Sequence, residues 1–153
     1  MKFKLLLEYT KLSHQPTDPN EYEDEVVRGD NIFTHEITPD DLYKNAFRLY
    51  LNASGVSRKD LQIFMDFLKQ NQGNPNAKIK IKIYRGQPSD TLENCSWVTP
   101  FKSYAMYYAY DGAYSSPNSK VYEYTVKISD ISCDLNSLAE WGYFGKAIKG
   151  KEV

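Results

Sequence analysis

The chain has 153 residues, a formal net charge of −1 and 25% charged residues, so it has the length of one domain that can bury a core. Proteins that bind nucleic acid electrostatically usually carry a strong basic excess, which this chain lacks. Its unusual feature is 13 tyrosines. Because tyrosine combines a ring that buries well with a polar hydroxyl, this enrichment favours a binding surface.

The cysteines, the histidines and the N-terminal residues exclude further classes. Cys95 and Cys133 lie far apart and, with His14 and His35, do not form a zinc-binding spacing. We predict two free thiols in a reducing compartment and no metal. The apolar run at the N-terminus is short and Glu8 interrupts it, and no run has transmembrane length. We therefore expect a soluble cytoplasmic protein without a membrane segment.

The N-terminal third contains a polar segment and a helix signal. Residues 13–31 are polar and turn-rich, with an acidic run over 21–25 that predicts a solvated loop or a surface that mimics a charged partner. Thr38 can cap a helix, and Pro39 suits its first position. We predict a helix from there that ends at Gly55.

A second helix is predicted to begin at Ser57, with Asp60 in the place where a capping box usually has Glu. Residues 71–76, which contain Gly and Pro, are predicted to close it. Residues 1–78 are therefore expected to be mainly helical. The apolar stripe of this second helix, which predicts core packing, consists of Leu61, Phe64, Met65 and Leu68.

Strict alternation of Lys and Ile over residues 78–83 predicts a half-buried strand with its lysines toward solvent. Arg85 has the parity of the isoleucines, so it is expected on the buried side, where the strand ends at Gly86. Because an unpaired buried charge is costly, Arg85 needs an anionic partner. The partner is either a core carboxylate in a salt bridge or a ligand phosphate, which the guanidinium fork suits.

Two shorter segments follow. Residues 96–99 are predicted to form a short strand that Pro100 ends. Residues 101–110 are predicted to form a helix, and residues 111–119 a loop rich in Gly, Ser, Pro and Asn. The residues expected to share one face of this helix are Phe101, Tyr104, Ala105 and Tyr108.

The C-terminal part is predicted to be mostly strand. Residues 122–128 alternate as a strand, residues 134–137 form a turn, and residues 141–148 form the last strand. Helices come first and short strands follow, with one helix inserted, which favours an α+β fold. The sequence has no glycine-rich phosphate loop of the Rossmann or Walker kind. We predict a single domain over residues 1–153.

Three separated segments each place one polar residue beside aromatic residues: Arg85, Thr99 and Glu140. In this order they resemble the ADP-ribosyltransferase superfamily, in its Arg-Ser-Glu class. The C-terminal half is similar to the small transferase domains found in phage and mobile-element proteins. The resemblance covers residues 79–145 and leaves residues 1–78 outside it. It rests on four segments, which are Tyr84-Arg85, Trp97-Val98-Thr99, Tyr104-Ala105 and Asn136-Ser137-Leu138-Ala139-Glu140-Trp141-Gly142-Tyr143.

The resemblance implies a split β-sheet core over residues 79–153, with a cleft that binds NAD as co-substrate. Breaking the nicotinamide–ribose bond builds positive charge on the ribose, which Glu140 would stabilise while it holds a ribose hydroxyl. Arg85 would clamp the diphosphate, and Thr99 would hold the site together by a hydrogen bond to Glu140. The activity implied is that of a mono-ADP-ribosyltransferase acting on a host or partner protein.

The resemblance also implies a set of NAD-binding residues around these three. Tyr104 would stack on the nicotinamide ring, and Trp97 would pack beneath it. The implied NAD-binding set is Tyr84, Arg85, Gly86, Trp97, Thr99 and Tyr104.

Three departures from the family pattern affect this expectation. Phe101 stands where the family usually has a serine, which removes a hydroxyl from the expected site. Leu138 stands two residues before Glu140, where transferases that modify arginine often have a second Glu. Cys95-Ser96 replaces the usual Gly-Asp before the tryptophan.

Other functions remain open from the sequence. An inactive member of the family would act as a binding or inhibitor module through protein contacts, and the tyrosines with the acidic run would form its surface. A protein that passes ADP-ribose to water would be an NAD glycohydrolase. A single-strand nucleic-acid binder would stack bases on the tyrosines, but the near-neutral charge argues against it.

Overall fold

The computed structural model describes Pro16 and residues 26–28, 55–73, 78–111, 115–134 and 139–153. The helix predicted to begin at Thr38, the acidic run, and residues 135–138 lie outside the described residues. The described part contains two helices and short antiparallel strands, which confirms the α+β prediction. Its elements are β1 (Val26–Arg28), α1 (Arg58–Gln70), β2 (Lys80–Gln87), β3 (Thr91–Leu92), β4 (Ser96–Val98), α2 (Lys102–Tyr110), β5 (Lys120–Lys127), a 3-10 turn (Ile128–Asp130), β6 (Ile131–Asp134), β7 (Trp141–Tyr143), β8 (Ile148–Lys149) and β9 (Lys151–Glu152).

Helix α1 begins as its capping residues predict. The Ser57 hydroxyl accepts the backbone N–H of Asp60, which satisfies one of the free donors of the first turn. Phe64 meets Phe101 and Trp141 edge to face, at ring-centroid distances of 5.3 and 5.4 Å. The predicted core stripe is confirmed, because its four members are all buried: Leu61, Phe64, Met65 and Leu68.

One antiparallel sheet has the strand order β2-β5-β9. Ile81 and Ile83 are buried on the core side of β2, whereas Lys80 and Lys82 are exposed, as the alternation predicts. In the β2–β5 register, Ile83 lies across from Tyr124, which is also buried.

The second sheet has the order β1-β6-β7-β4 and is also antiparallel. The prediction of one last strand over residues 141–148 is wrong. β7 pairs with β4 and β6 in this sheet and ends at Tyr143, where the chain leaves the sheet. The following residues form β8, which pairs with β3, and β9, which joins β5 in the other sheet.

The two sheets meet at a single isolated bridge in the described residues, between Tyr84 of β2 and Thr99 after β4. The Tyr84 N–H donates to the Thr99 carbonyl at 2.8 Å, and the Thr99 N–H donates to the Tyr84 carbonyl at 3.0 Å. Beyond Thr99 the chain turns into α2, so the ladder does not continue. In the described residues, the two sheets are therefore joined by this one residue pair and not by a continuous ladder.

Helix α2 packs on the β2–β5 sheet through small residues. Ala105 and Ala109 are buried with Val121, and a Cβ on Gly86 would lie 2.7 Å from the Ala109 Cβ. The predicted apolar face is therefore wrong in part, because Tyr108 is 38% exposed and Ala109 takes the buried position. Since only small side chains fit this close approach, the tyrosines are turned away from the sheet.

The first turns of the two helices are joined by two hydrogen bonds, next to the N-cap bond of α1. The Asp60 carboxylate accepts the backbone N–H of Ser103 at 2.7 Å. The Ser103 hydroxyl accepts the backbone N–H of Ser57 at 2.9 Å, and the Ser57 hydroxyl accepts that of Asp60 at 3.1 Å. Because the residue before α2 supplies no side-chain cap, Asp60 provides this function from the neighbouring helix.

Candidate functional site

The sheet junction brings together the backbone segments that carry the three predicted site residues. Val98 of β4 pairs with Trp141 of β7. Thr99 directly follows Val98, and Glu140 directly precedes Trp141. On its other side, Thr99 forms the bridge to Tyr84, which directly precedes Arg85. Three chain segments distant in sequence therefore converge at this point.

Glu140 is half-buried and is held by two tyrosine hydroxyls from α2. Tyr104 donates to its Oε1 at 2.7 Å, and Tyr108 donates to the same oxygen at 3.2 Å. The described residues provide no hydrogen bond to Oε2. One carboxylate oxygen is thus oriented by protein donors, and the other has no donor from the described residues.

Tyr104 is a proton donor that stays protonated in this setting. Burial raises its pKa far above the ordinary value for tyrosine, and the hydrogen bond to Glu140 and the charge of Glu140 raise the pKa further. Its ring lies 5.2 Å from that of Tyr108 between centroids. Tyr108 was predicted only as part of the apolar face, although its spacing of four residues from Tyr104 places both hydroxyls on one side of the helix.

Arg85 lies on the core side of β2 and binds two neutral acceptors. Its Nε donates to the Gln87 Oε1 at 2.7 Å, and its Nη1 donates to the Trp97 carbonyl at 2.5 Å. Within the described residues it forms no ion pair, so a core carboxylate, one of the two partners that the sequence leaves open, is absent there. Burial lowers the pKa of Arg85, because the guanidinium loses water, and a smaller electrostatic interaction with Tyr124 acts in the opposite direction. Its Nη2 group has no protein acceptor among these residues.

Gln87 has a role that the sequence analysis missed. Its Nε2 donates to the Thr91 carbonyl at 2.8 Å and to the Tyr124 hydroxyl at 3.0 Å, while its Oε1 accepts from Arg85. Both the oxygen and the nitrogen of the amide therefore form hydrogen bonds. The sequence could have indicated this contact, because Gln87 lies two residues after Arg85 and residues two apart on a strand face the same side.

Thr99 is buried, and its hydroxyl acts locally. The hydroxyl accepts the backbone N–H of Phe101 at 3.2 Å, which stabilises the turn into α2. The expected hydrogen bond between Thr99 and Glu140 is not formed, since α2 supplies the donors to Glu140 instead. Phe101, which stands at the family's serine position, is fully buried against Phe64.

The remaining predicted NAD-binding residues lie around the junction, but not on one face. Tyr84 packs with the cluster under α2 and lies across from Glu123 in the β2–β5 register. The helix closes the space beside Gly86, so the absence of a side chain there is explained by helix packing. These two residues face α2, whereas Arg85 faces the opposite side of β2. Trp97 is half-buried and contributes its carbonyl to Arg85.

The arrangement offers an oriented carboxylate, a guanidinium for which the described residues supply no counter-ion, and aromatic rings beside the carboxylate. No hydrogen-bond partner is shared by Arg85 and Glu140 in the described part of the chain. That part also contains no group of three or more His, Cys, Asp or Glu side chains arranged to bind a metal. Neither of its helices has the length and hydropathy to span a bilayer. Comparison with family models, curated proteins and solved structures finds no match.

Proposed function

We propose that this protein is a mono-ADP-ribosyltransferase that transfers ADP-ribose from NAD to a host or partner protein, as an effector of the phage or mobile-element type. The observation that carries the proposal is the Glu140 carboxylate, fixed on one oxygen by Tyr104 and Tyr108 near the bridge that joins the two sheets. The sequence resemblance supports the same assignment, because it assigns the acidic role to Glu140 independently of these contacts.

Glu140 would stabilise the charge that develops on the ribose. In the transfer, the bond between the ribose and nicotinamide breaks, and nicotinamide keeps the bonding electron pair. The nucleophile on the acceptor supplies a new pair to the same carbon and loses its proton. A preoriented carboxylate favours the oxocarbenium-like state between these events. Two tyrosine donors on Oε1 leave Oε2 to accept a ribose hydroxyl.

Arg85 would bind the diphosphate. A guanidinium that is desolvated and has only neutral protein partners gains from an anionic ligand, and its fork geometry suits phosphate oxygens. The Nε and Nη1 contacts orient the group and leave Nη2 for the ligand. Since none of the described residues brings a carboxylate to Arg85, a phosphate ligand is supported over a structural salt bridge.

Aromatic rings beside Glu140 fit the nicotinamide end of the ligand. Tyr104 would stack on the nicotinamide ring while its hydroxyl keeps Glu140 in place. The turn before β4 supports the resemblance further, because Cys95 has φ +62° at the family's usual glycine position. Only a few residue types adopt this left-handed conformation readily, with glycine foremost.

The test measures nicotinamide release and protein labelling with NAD in a lysate. Glu140→Gln should lower both by about 100-fold or more, because the group that stabilises the transition-state charge is lost. Glu123→Gln is the matched control, since Glu123 is also half-buried and also lies beside a tyrosine, its cross-strand neighbour Tyr84. Equal labelling by Glu140→Gln and the wild type would contradict the proposal.

A catalytically inactive binding module is the second candidate. Helix α2 exposes Met106, Tyr107 and Tyr110, and residue types of this kind are enriched in protein interfaces. Stable association with a partner protein, without nicotinamide release, would favour this function. Nicotinamide release without protein labelling would instead indicate an NAD glycohydrolase.

A further inference from the structure

The Gln87 side chain lies at the centre of a network that ends at Arg85. It accepts from the Arg85 Nε and donates to the Thr91 carbonyl and the Tyr124 hydroxyl. The Tyr124 hydroxyl in turn donates to the carbonyl of Asp90 at 3.1 Å. Every polar atom of the Gln87 amide therefore has a partner, and its orientation is determined.

The network holds the guanidinium without neutralising it. Asp90 is the acidic residue in the network, but it contributes its backbone carbonyl, and its carboxylate accepts the Thr91 hydroxyl at 3.3 Å. The side chain that contacts Arg85 is an amide. A glutamate of the same size at position 87 would pair with Arg85 and would compete with an anionic ligand for it.

We propose that Gln87 is a positioning residue that keeps Arg85 oriented and uncompensated so that the guanidinium can bind the diphosphate of NAD. This inference rests on the proposed function for the identity of the ligand. The amide fixes the guanidinium through Nε and the Trp97 carbonyl holds Nη1, so that the Nη2 donors are left for phosphate oxygens. Gln87 acts only through Arg85 and does not itself contact the ligand.

The test is the affinity of the full chain for ADP-ribose, measured by calorimetry, with inorganic pyrophosphate as a second probe. Gln87→Glu should weaken both by about tenfold or more, because the new carboxylate neutralises Arg85. Gln87→Met removes the hydrogen bonds but adds no charge, and should have a smaller effect of the same sign. Gln62→Glu, at an exposed position of α1, is the matched control for net charge and should bind both probes with wild-type affinity.

The outcomes separate this inference from the proposed function. Unchanged ADP-ribose affinity in Gln87→Glu, or equal weakening in Gln62→Glu, overturns the role of Gln87 even when nicotinamide is released. Selective weakening in a protein that releases no nicotinamide supports the anion site and contradicts the transfer reaction. Failure of the wild type to bind either probe overturns both. If Gln87→Glu does not fold, wild-type affinity in a folded Gln87→Met variant overturns the inference, and a loss supports it.

Discussion

The hydroxyl of Tyr104 donates a 2.7 Å hydrogen bond to the carboxylate of Glu140, across 36 positions of sequence. The two residues lie on different elements, since Tyr104 belongs to the first half of α2 and Glu140 directly precedes β7. Their contact depends on the position of α2, which is set by Asp60 at its first turn and by Gly86 beneath it. The candidate site therefore depends on helix packing as much as on its own side chains.

Removal of the Tyr104 hydroxyl tests this contact directly. We expect Tyr104→Phe to lower the rate of nicotinamide release by about tenfold, because hydrogen bonds to charged groups contribute about 1.5–3 kcal/mol and this one is only partly buried. Tyr107→Phe is the control, since Tyr107 lies on the same helix and is 37% exposed. Equal rates in the two variants would show that Glu140 does not need the Tyr104 donor.

Periodicity predicted the elements that bury one regular face. The stripe of α1 and the alternation of β2 each reflect one continuous core contact, and the residues expected inside are inside. Parity also placed Arg85 on the core side of its strand. These features are local, because a helix or strand repeat determines which residues share a face.

The sequence pattern did not predict features that depend on two distant segments. The buried face of α2 depends on Gly86, because Ala109 packs closely against it and Tyr108 then lies on the exposed side of the helix. The last strand divides because successive residues pair with different strands, which alternation alone does not show. The hydroxyl of Thr99 binds the turn rather than Glu140, since local acceptors for backbone N–H groups are favoured at helix starts.

The Asp60 carboxylate is expected to stabilise α2 from the neighbouring helix. Asp60→Ala should lower the free energy of unfolding by about 1–2 kcal/mol, because the Ser103 N–H then loses its acceptor. Asp60→Asn retains an acceptor and should cost less than half as much. Urea unfolding measures both values. Asp66→Ala, on an exposed part of α1, should change stability by less than about 0.5 kcal/mol, and an equal loss there would argue against the interhelical cap.

The close approach of α2 to β2 can be tested by overpacking. Gly86→Ala should destabilise the protein by about 1–3 kcal/mol, because its Cβ would lie 2.7 Å from that of Ala109. Ala109→Gly should restore part of this loss in the double variant, although glycine costs about 1 kcal/mol in a helix. A double-mutant cycle from urea unfolding measures the coupling. Strictly additive effects would show that the two residues do not limit the packing distance.

Tyr84 should make stability depend on alkaline pH. Burial, together with the negative charge of nearby Glu123, raises the pKa of Tyr84 from 10.0 to about 12. The folded state therefore keeps a proton that the unfolded chain releases at lower pH. Its contribution is complete below pH 10 and is lost as the pH rises toward about 12.

The Tyr84→Phe variant should therefore lose less stability than the wild type between pH 10 and about 12, the two pKa values of this phenol. Below pH 10 the difference in unfolding free energy between the two proteins should stay constant, because Tyr84 is protonated in both states there. Urea unfolding across this range measures the two slopes. Parallel slopes above pH 10 would mean that folding does not raise the pKa of Tyr84.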